Sequence, residues 1–282
     1  MKSYAKDFGI TEMASIFGVT ASGYYSYCRR GPSKYVEEDK RLLGLIRSIF
    51  AESRNTYGRV RMRKALQDMG ETCSQRRISR LMKSAGLIPK AARRFKVTTK
   101  ANSDAVAAPN QLAQDFAAKK PNEKWVSDLT YIRTTAGWLY VAVVMDLYSR
   151  KIIGLSMGKR ITKELVINAF LQAMLVRGYP AKVLYHSDRG SQYTSNDFQK
   201  LMKLYKIKVS MSGKGNCYDN AAMESFFHTM KLECTDDLNF ESREEAITTI
   251  FDYIEIFYNN YRMHSYLGYK SPSAFEKLLG SS

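Results

Sequence analysis

The strongest apolar run in the chain, Leu139-Tyr-Val-Ala-Val-Val-Met145, stops at Asp146. It is far shorter than the ~20 residues that span a bilayer and reads as a buried strand. Its neighbourhood predicts strands over 124–134, 138–146 and 151–156, the first two joined by a short turn at Ala136-Gly137. A helix over 162–177, a strand over 182–187, a helix over 195–205, a strand over 207–211 and a helix over 220–233 follow, and helices near 243–260 and 271–279 close the chain. A hairpin plus a third strand, then alternating helix and strand, predicts an α/β layer with a mixed five-stranded sheet.

Upstream of Pro121 the periodicity is helical. Residues 11–30 read as helix, turn, helix, with Thr11 as a cap, Gly18-Val-Thr20 as the turn, and Ser22, Ser26, Arg29 and Arg30 on the second helix. That second helix suits a major groove or, equally, the basic end of an ordinary helical hairpin. After Gly31-Pro-Ser33 a second trihelical pattern runs over 38–52, 58–69 and 74–85; its last helix carries Arg76, Arg77, Arg80 and Lys83 beside apolar Ile78, Leu81 and Met82. From Ala91 the periodicity fails, and Arg93 and Arg94 begin a basic, Ala/Asn/Thr-rich stretch. The expected organisation is a helix-turn-helix-like module at 1–35, a second at 36–90, a basic linker at 91–121 and an α/β domain at 122–282.

Charge sharpens this division. The 282 residues carry a net +17; residues 1–120 hold 24 Lys/Arg against 10 Asp/Glu, whereas 121–282 hold 20 against 17. A basic half of this kind attracts polyanions, with an affinity that falls as salt rises. Cysteines at 28, 73, 217 and 234 form no Cys-x-x-Cys pair, and the three histidines form no zinc-like cluster. A reducing, intracellular setting and a metal bound through oxygen are the expectations.

The candidate chemistry lies in three acids. Asp128 falls within a strand, where a lone buried carboxylate is costly; it either pairs with Lys124 or Arg133 or holds a metal. Asp188, in His186-Ser-Asp-Arg-Gly-Ser-Gln-Tyr193, sits at the C-terminal edge of a short strand, the usual place for a site in an α/β sheet. After thirty-five intervening residues comes Glu224, early in a helix that brings His228 and Lys231 onto its face. Three convergent carboxylates suit magnesium, and two such ions can clamp both oxygens of an in-line phosphoryl displacement. DNA strand cleavage or joining is the chemistry this suggests. Arg189, Gln192 and Lys214 are donors placed to reach phosphate, while Lys231 has the alternative of pairing with Glu233 or Asp236. Asp219 is expected to be structural, with Asp219 or Asn220 as the helix cap, and Asp146 is held as a reserve ligand or a turn residue.

Several ordered motifs carry a resemblance. Trp125-Val-Ser-Asp-Leu-Thr-Tyr131, Gly137-Trp-Leu-Tyr-Val-Ala-Val-Val-Met-Asp146, the Asp188 motif, Gly215-Asn-Cys-Tyr-Asp-Asn-Ala-Ala-Met-Glu-Ser-Phe-Phe227 and Tyr258-Asn-Asn-Tyr-Arg-Met-His-Ser-Tyr-Leu-Gly268 closely resemble the transposases of the IS-three family of bacterial insertion sequences. Tyr57-Gly-Arg-Val-Arg61 and Ile78-Ser-Arg-Leu-Met82 resemble that family's helix-turn-helix region. The resemblance implies a ribonuclease H-like, retroviral-integrase-type core. It implies an Asp-Asp-Glu triad at Asp128, Asp188 and Glu224, Lys231 as the basic residue seven places on, and two Mg2+ ions per site with Mn2+ able to substitute. Implied partners are the element's end and target DNA, at least one further copy of the chain, and the upstream-frame protein of the same element. The implied location is the bacterial cytoplasm, on the nucleoid. Family enzymes are commonly frameshift fusions with an upstream coiled coil, and no sustained heptad occurs here, so a downstream product or a version lacking that part is expected. The rival readings are a catalytically silent DNA-binding regulator of transposition and a plain metal-dependent nuclease of the same fold.

Overall fold

The computed structural model describes residues 1–31, 33–90, 108–213 and 217–278, so the expected DNA-contacting Arg93, Arg94 and Lys214 lie outside the described residues. At its centre is one five-stranded sheet of order β3-β2-β1-β4-β5, built from β1 (Lys124–Thr134), β2 (Gly137–Asp146), β3 (Ile152–Gly158), β4 (Leu184–Ser187) and β5 (Lys208–Met211). The first three strands are antiparallel neighbours, whereas β1, β4 and β5 run parallel. Gly137 makes the first hairpin possible: its φ of 105° lies where side chains with a Cβ are strained. Parallel β1 and β4 need a crossover, which α6 (Lys163–Val176) provides.

Alternation along β1 splits the core into two layers. Trp125 packs with α6 and α8 (Asn196–Leu204), through Phe170, Tyr185 and Phe198. Val126 and Ile132 point the other way, into α9 (Ala221–Met230) and α10 (Arg243–Phe251), where Met223, Phe226 and Ile250 are buried. Gly154 of β3 meets α6 so closely that a Cβ there would lie 2.1 Å from the Ala169 carbonyl oxygen.

The helical region divides unequally. Helices α3 (Lys34–Glu52), α4 (Arg59–Asp68) and α5 (Gln75–Ser84) enclose a core of Leu42, Ile46, Met62, Leu66, Ile78 and Leu81, with Ser33 and Ser74 capping α3 and α5. By contrast α1 (Ile10–Ile16) and α2 (Ala21–Arg29) bury only Met13 and Ala14. Ile16 is 80% exposed, Phe17 64% and Tyr27 73%, so this hairpin has no core of its own. Thr11 is not its cap: α1 starts one residue earlier, after Gly9, with no side-chain cap. Thr20 does cap α2, through Gly23 N–H.

Two further expectations change. The stretch 108–121 does not behave as a free linker, because Leu112 is buried in the sheet's core and the Gln111 and Leu112 N–H groups both donate to Ser210 Oγ, at 2.8 and 3.1 Å. The helices expected over 220–233 and 243–260 widen into π-helix at Lys231–Thr235 and Asp252–Tyr258, with i+5 bonds such as Asp236 N–H to the Lys231 carbonyl at 2.8 Å. The reason lies between them: Glu233, Tyr253 and Arg262 are all buried and must face one another. Arg262 donates to both Glu233 oxygens at 2.7 and 2.8 Å, and the Tyr253 hydroxyl adds a third bond at 2.8 Å.

The α3–α5 unit rests on this end of the core. The Tyr57 hydroxyl donates to the Tyr261 carbonyl and accepts from Met263 N–H, each at 3.0 Å; Arg54 pairs with Asp252 at 2.5 Å, and Lys90 Nζ donates to the Glu233 carbonyl at 2.6 Å. Helix α11 (Pro272–Lys277) closes the sheet's edge through Glu276, which takes Arg177 and Ser149.

The Gly154 contact generates the first prediction. Gly154→Ala should lower stability by at least the ~1–3 kcal/mol typical of overpacking, because the obstacle is backbone rather than a side chain that can turn away. Thermal unfolding checks this; an unshifted midpoint would mean that α6 can back away from β3 at no cost.

Candidate active site

Strand register places the first two acids. The parallel rungs between β1 and β4 include Trp125 with Tyr185 and Val126 with His186. Asp128 follows the last rung by two residues within β1, and Asp188 follows it by two just past the end of β4, so the shared register brings both aspartates to the same end of the strand pair. By strand parity Asp128 shares the face of Val126, which is the face covered by α9. Helix α9 begins at Ala221 and carries Glu224 in its first turn.

Of the three acids, Asp128 has the most perturbed carboxyl. Asp128 is half-buried and its carboxyl is pushed up to about 8, first by burial, then by the Asp188 charge, with Glu224 adding to the repulsion and Leu129 N–H and Lys231 opposing it. Desolvation also raises Asp188 and Glu224, although both stay exposed at the mouth of the site. The alternative partners are engaged elsewhere or silent: Lys124 pairs with Asp115 at 2.8 Å, and the hydrogen bond that Asp128 accepts comes from Leu129 N–H at 2.8 Å. Among the described residues no three His, Cys, Asp or Glu side chains close on one point as a ready ligand shell.

The surrounding loops hold these acids in place. Asp188 Oδ1 accepts Gly190 N–H at 2.9 Å, and a Cβ on Gly190 would crowd both Asp188 Oδ1 at 3.0 Å and Gln192 Oε1 at 2.8 Å. Arg189 turns back, its Nε donating to the Ser212 carbonyl at 2.7 Å, which commits part of this expected DNA contact to the fold. His186 is bonded between Ser210 and Ser212 at 2.8 and 3.1 Å, and burial holds it down at about 4, hence neutral. Asp219 is structural: it accepts from Gly213 N–H, Asn110 and Gln114. Asn220 occupies the cap position of α9 without a side-chain cap bond. Asp146 pairs across the sheet with Trp125, on the face away from Asp128, and is taken by Asn122 N–H, Tyr148 N–H and Arg177; it cannot serve as the third acid.

Lys231 follows α9 directly. Its Nζ lies 5.1 Å from the centre of the Tyr131 ring, and that ring meets Trp138 edge-on at 5.1 Å. These three residues line a groove of about 630 Å³. Tyr131 and Trp138 were not among the sequence candidates; the available signal was two large aromatics at exposed positions near the tip of a hairpin. His228 lies on α9 and is half-buried, as is Gln192 behind Asp188.

On α5 the four basic residues separate. Arg77 Nε and Arg80 Nη2 both donate to Asp39, at 2.8 and 2.5 Å, and both guanidinium groups sit over the Tyr35 ring. Arg76 and Lys83 are exposed, as are Arg29 and Arg30 on α2.

This fold and this placement of acids define a ribonuclease H-like protein with an integrase-type core. Family models described as "Integrase core domain" match residues 118–217 and 224–278, and one described as "HTH-like domain" matches 37–95. The transposase InsF of insertion sequence IS3A from Escherichia coli (strain K12) is 39% identical, covering 98% of this chain and 96% of that protein. An uncharacterized 31 kDa protein of insertion element IS600 from Shigella sonnei is 44% identical over 94% and 97% of the two chains. Among solved structures, the HTLV-2 integrase catalytic core domain in complex with magnesium is similar at a TM-score of 0.43 and 22% identity, covering 57% of this chain and 99% of that one. The chain belongs to the IS3 family of insertion-sequence transposases. Its work is DNA transposition, by cleavage and strand transfer.

Proposed function

We propose that this transposition runs on divalent cations held by Asp128, Asp188 and Glu224. The observation that carries the reading is Asp128 itself, a mid-strand carboxyl two residues past the β1–β4 rung, raised first by burial and then by the Asp188 and Glu224 charges, and matched by no salt bridge among the described residues. Such a site favours either a proton or a cation. Its donors are all hard oxygens, and the Asp128/Asp188 pair fits magnesium's usual use of one or two carboxylates, substrate phosphate supplying the rest; manganese takes the same oxygens. A pair of such ions supplies, when bound, charge stabilisation for both the entering and the departing oxygen of an in-line displacement.

The chain's own groups do the positioning. Asp128 and Asp188 are fixed by the sheet and Glu224 by α9. Lys231, partly desolvated so that its pKa is lowered, offers a cation to the scissile strand, and Tyr131 and Trp138 offer faces on which splayed bases can stack. His228 follows Glu224 by one helical turn on α9, and Arg189 and Gln192 follow Asp188 in the same loop, so each is near an acid in sequence and is a candidate contact to the DNA there. Cleavage frees a 3′-hydroxyl, which attacks a second phosphodiester; no protein nucleophile is involved. Buried Tyr193 fits this, its hydroxyl turned inward to Ser127 at 2.8 Å. Joined DNA, as opposed to nicks alone, separates a transposase from a plain nuclease.

Asp128→Asn, Asp188→Asn and Glu224→Gln are each expected to lower strand transfer at least about 100-fold, the scale of losing one preorganised charge-stabilising group, with DNA binding nearly unchanged. Strand-transfer assays beside gel shifts decide it, and near-normal joining in any one variant removes that residue from the ligand set.

On α5, Arg76→Ala and Lys83→Ala should each flatten the plot of log affinity against log salt by up to ~0.9, the value of one lost phosphate contact. Arg77→Ala should mainly lower stability, since Arg77 braces Asp39. Equal slopes in all three variants and the parent would place α5 off the DNA.

Two DNA ends must meet in one reaction, so at least two copies of the chain are expected in the active complex, each binding one end and cutting the other. Mixing full-length Asp188→Asn with full-length Arg76→Ala/Lys83→Ala, at a salt concentration where the double variant no longer binds DNA, should then restore joining that neither performs alone. A mixture that co-assembles on DNA yet stays inactive would show that each subunit serves its own end.

A further inference from the structure

Behind α9, on the side away from Glu224, lies a second cavity of about 370 Å³. Helix α4 contributes Arg61 to its wall, the β2–β3 connection contributes Arg150, and the segment after the second π-helix contributes Arg262, His264 and Tyr266. None of its lining residues is acidic. Neither Arg61 nor Arg150 has a carboxylate partner among the described residues, and Arg61 Nε is buried with no hydrogen-bond acceptor there. Arg150 lies 4.3 Å over the Tyr266 ring, and Arg262 commits Nε and Nη2 to Glu233, the single acid in contact with this group.

Two further features point the same way. Ala221 and Ala222, in the first turn of α9, border the cavity, so the positive end of that helix's dipole lies at its wall. The unneutralised field is visible on His264, held down to about 3 by burial and by Arg262, Arg61 and Arg150 in turn. Its Nε2 bonds the Tyr258 hydroxyl at 3.0 Å, and that hydroxyl donates to the Arg150 carbonyl at 3.2 Å, so the ring and the Arg150 backbone are fixed together.

We propose that this cavity is a phosphate-binding site, occupied by a backbone phosphate of DNA passing over the seam between the α3–α5 unit and the core. Guanidinium groups bind phosphate oxygens through paired N–H donors, and the Ser225 and Thr229 hydroxyls on the α9 wall add donors of the right length. That the phosphate comes from DNA rests on the transposase reading; that the cavity takes a phosphate rests on its own chemistry. The position matters because α9 has Glu224 on its opposite face. A phosphate seated here ties the helical unit, through Arg61, to the helix that carries the third acid.

The test uses full-length protein without divalent metal. Arg150→Gln, Arg61→Gln and Ser225→Asp are compared with the parent in two assays: duplex-DNA affinity against salt, and thermal stabilisation by inorganic phosphate over chloride at matched ionic strength. Arg150→Gln should lower the salt slope by about 0.9. Ser225→Asp, which puts a carboxylate into the cavity, should weaken DNA binding roughly tenfold, the worth of one charge-assisted hydrogen bond. Phosphate should stabilise the parent more than chloride does, and neither variant. Should Arg61→Gln fail to fold, the two variants at the cavity rim still carry the test. Unchanged slope and affinity in both overturn the assignment to DNA; if phosphate stabilisation is nevertheless lost, the ligand is a free anion. Failure of the acid-triad reading would look different, with Asp188→Asn joining DNA normally while these binding data stand.

Discussion

The parallel rung between Val126 and His186 is the constraint on which the site depends. It fixes the register in which β1 and β4 leave the sheet, and two residues later each strand presents an aspartate. A one-residue slip would send Asp128 to the opposite face, among the side chains packed on α6. The register is protected by what flanks it: Trp125 and Tyr185 interlock with Phe170 on one side, and Val126 meets the α9 layer on the other. Energy stored in those packed layers is what holds two like charges next to each other.

A second constraint operates at the far end of α9. The Glu233–Arg262 pair is buried, and burying two charges seldom adds stability over an apolar pair of similar shape. Its role here is better seen in what it organises. It draws two π-helical turns together and leaves the Glu233 carbonyl to Lys90, while the adjoining Tyr261–Met263 backbone receives Tyr57. The α3–α5 unit is thereby docked on the core by bonds with defined direction. Removing one partner would leave an unpaired charge in the interior, typically about 3–5 kcal/mol, and would loosen the docking at the same time.

Much of this was legible in the sequence. Strand alternation and the 162–177 and 195–205 periodicities locate all five strands and the crossover helices to within a few residues, because those elements bury one face and their patterns are strong. Asp128 was legible as a costly acid within a strand, Asp188 as one at a strand's C-terminal edge and Glu224 as one early in a helix. The π-turns were not, since no local propensity marks them; they follow from a buried pair whose members are 29 residues apart. The packing of 108–121 was hidden for a similar reason: its composition resembles a linker, and its anchors are distant in sequence, with Leu112 buried in the core, two N–H groups on the Ser210 hydroxyl, and Asn110 and Gln114 on Asp219. Arg77 and Arg80 illustrate the limit of counting charge, for residue type alone gives no sign that Asp39 and Tyr35 already hold them.

Charge is thus deployed in three ways on one chain. Arg77 and Arg80 are spent on the α3–α5 fold, Arg76 and Lys83 are left on its surface, and Arg61, Arg150 and Arg262 are gathered at the seam with the core. Surface cations attract DNA at long range but are screened within about a Debye length and fix little geometry. Cations at the seam act over short distances, in a partly desolvated setting where each contact is stronger and directional. The acids need the opposite sign nearby only when substrate is present, and α9 separates the two fields with Glu224 on one face and the arginine cavity on the other. A helix so placed has an acid on one face and the arginine cluster on the other, so the two fields meet the chain through the same rigid element.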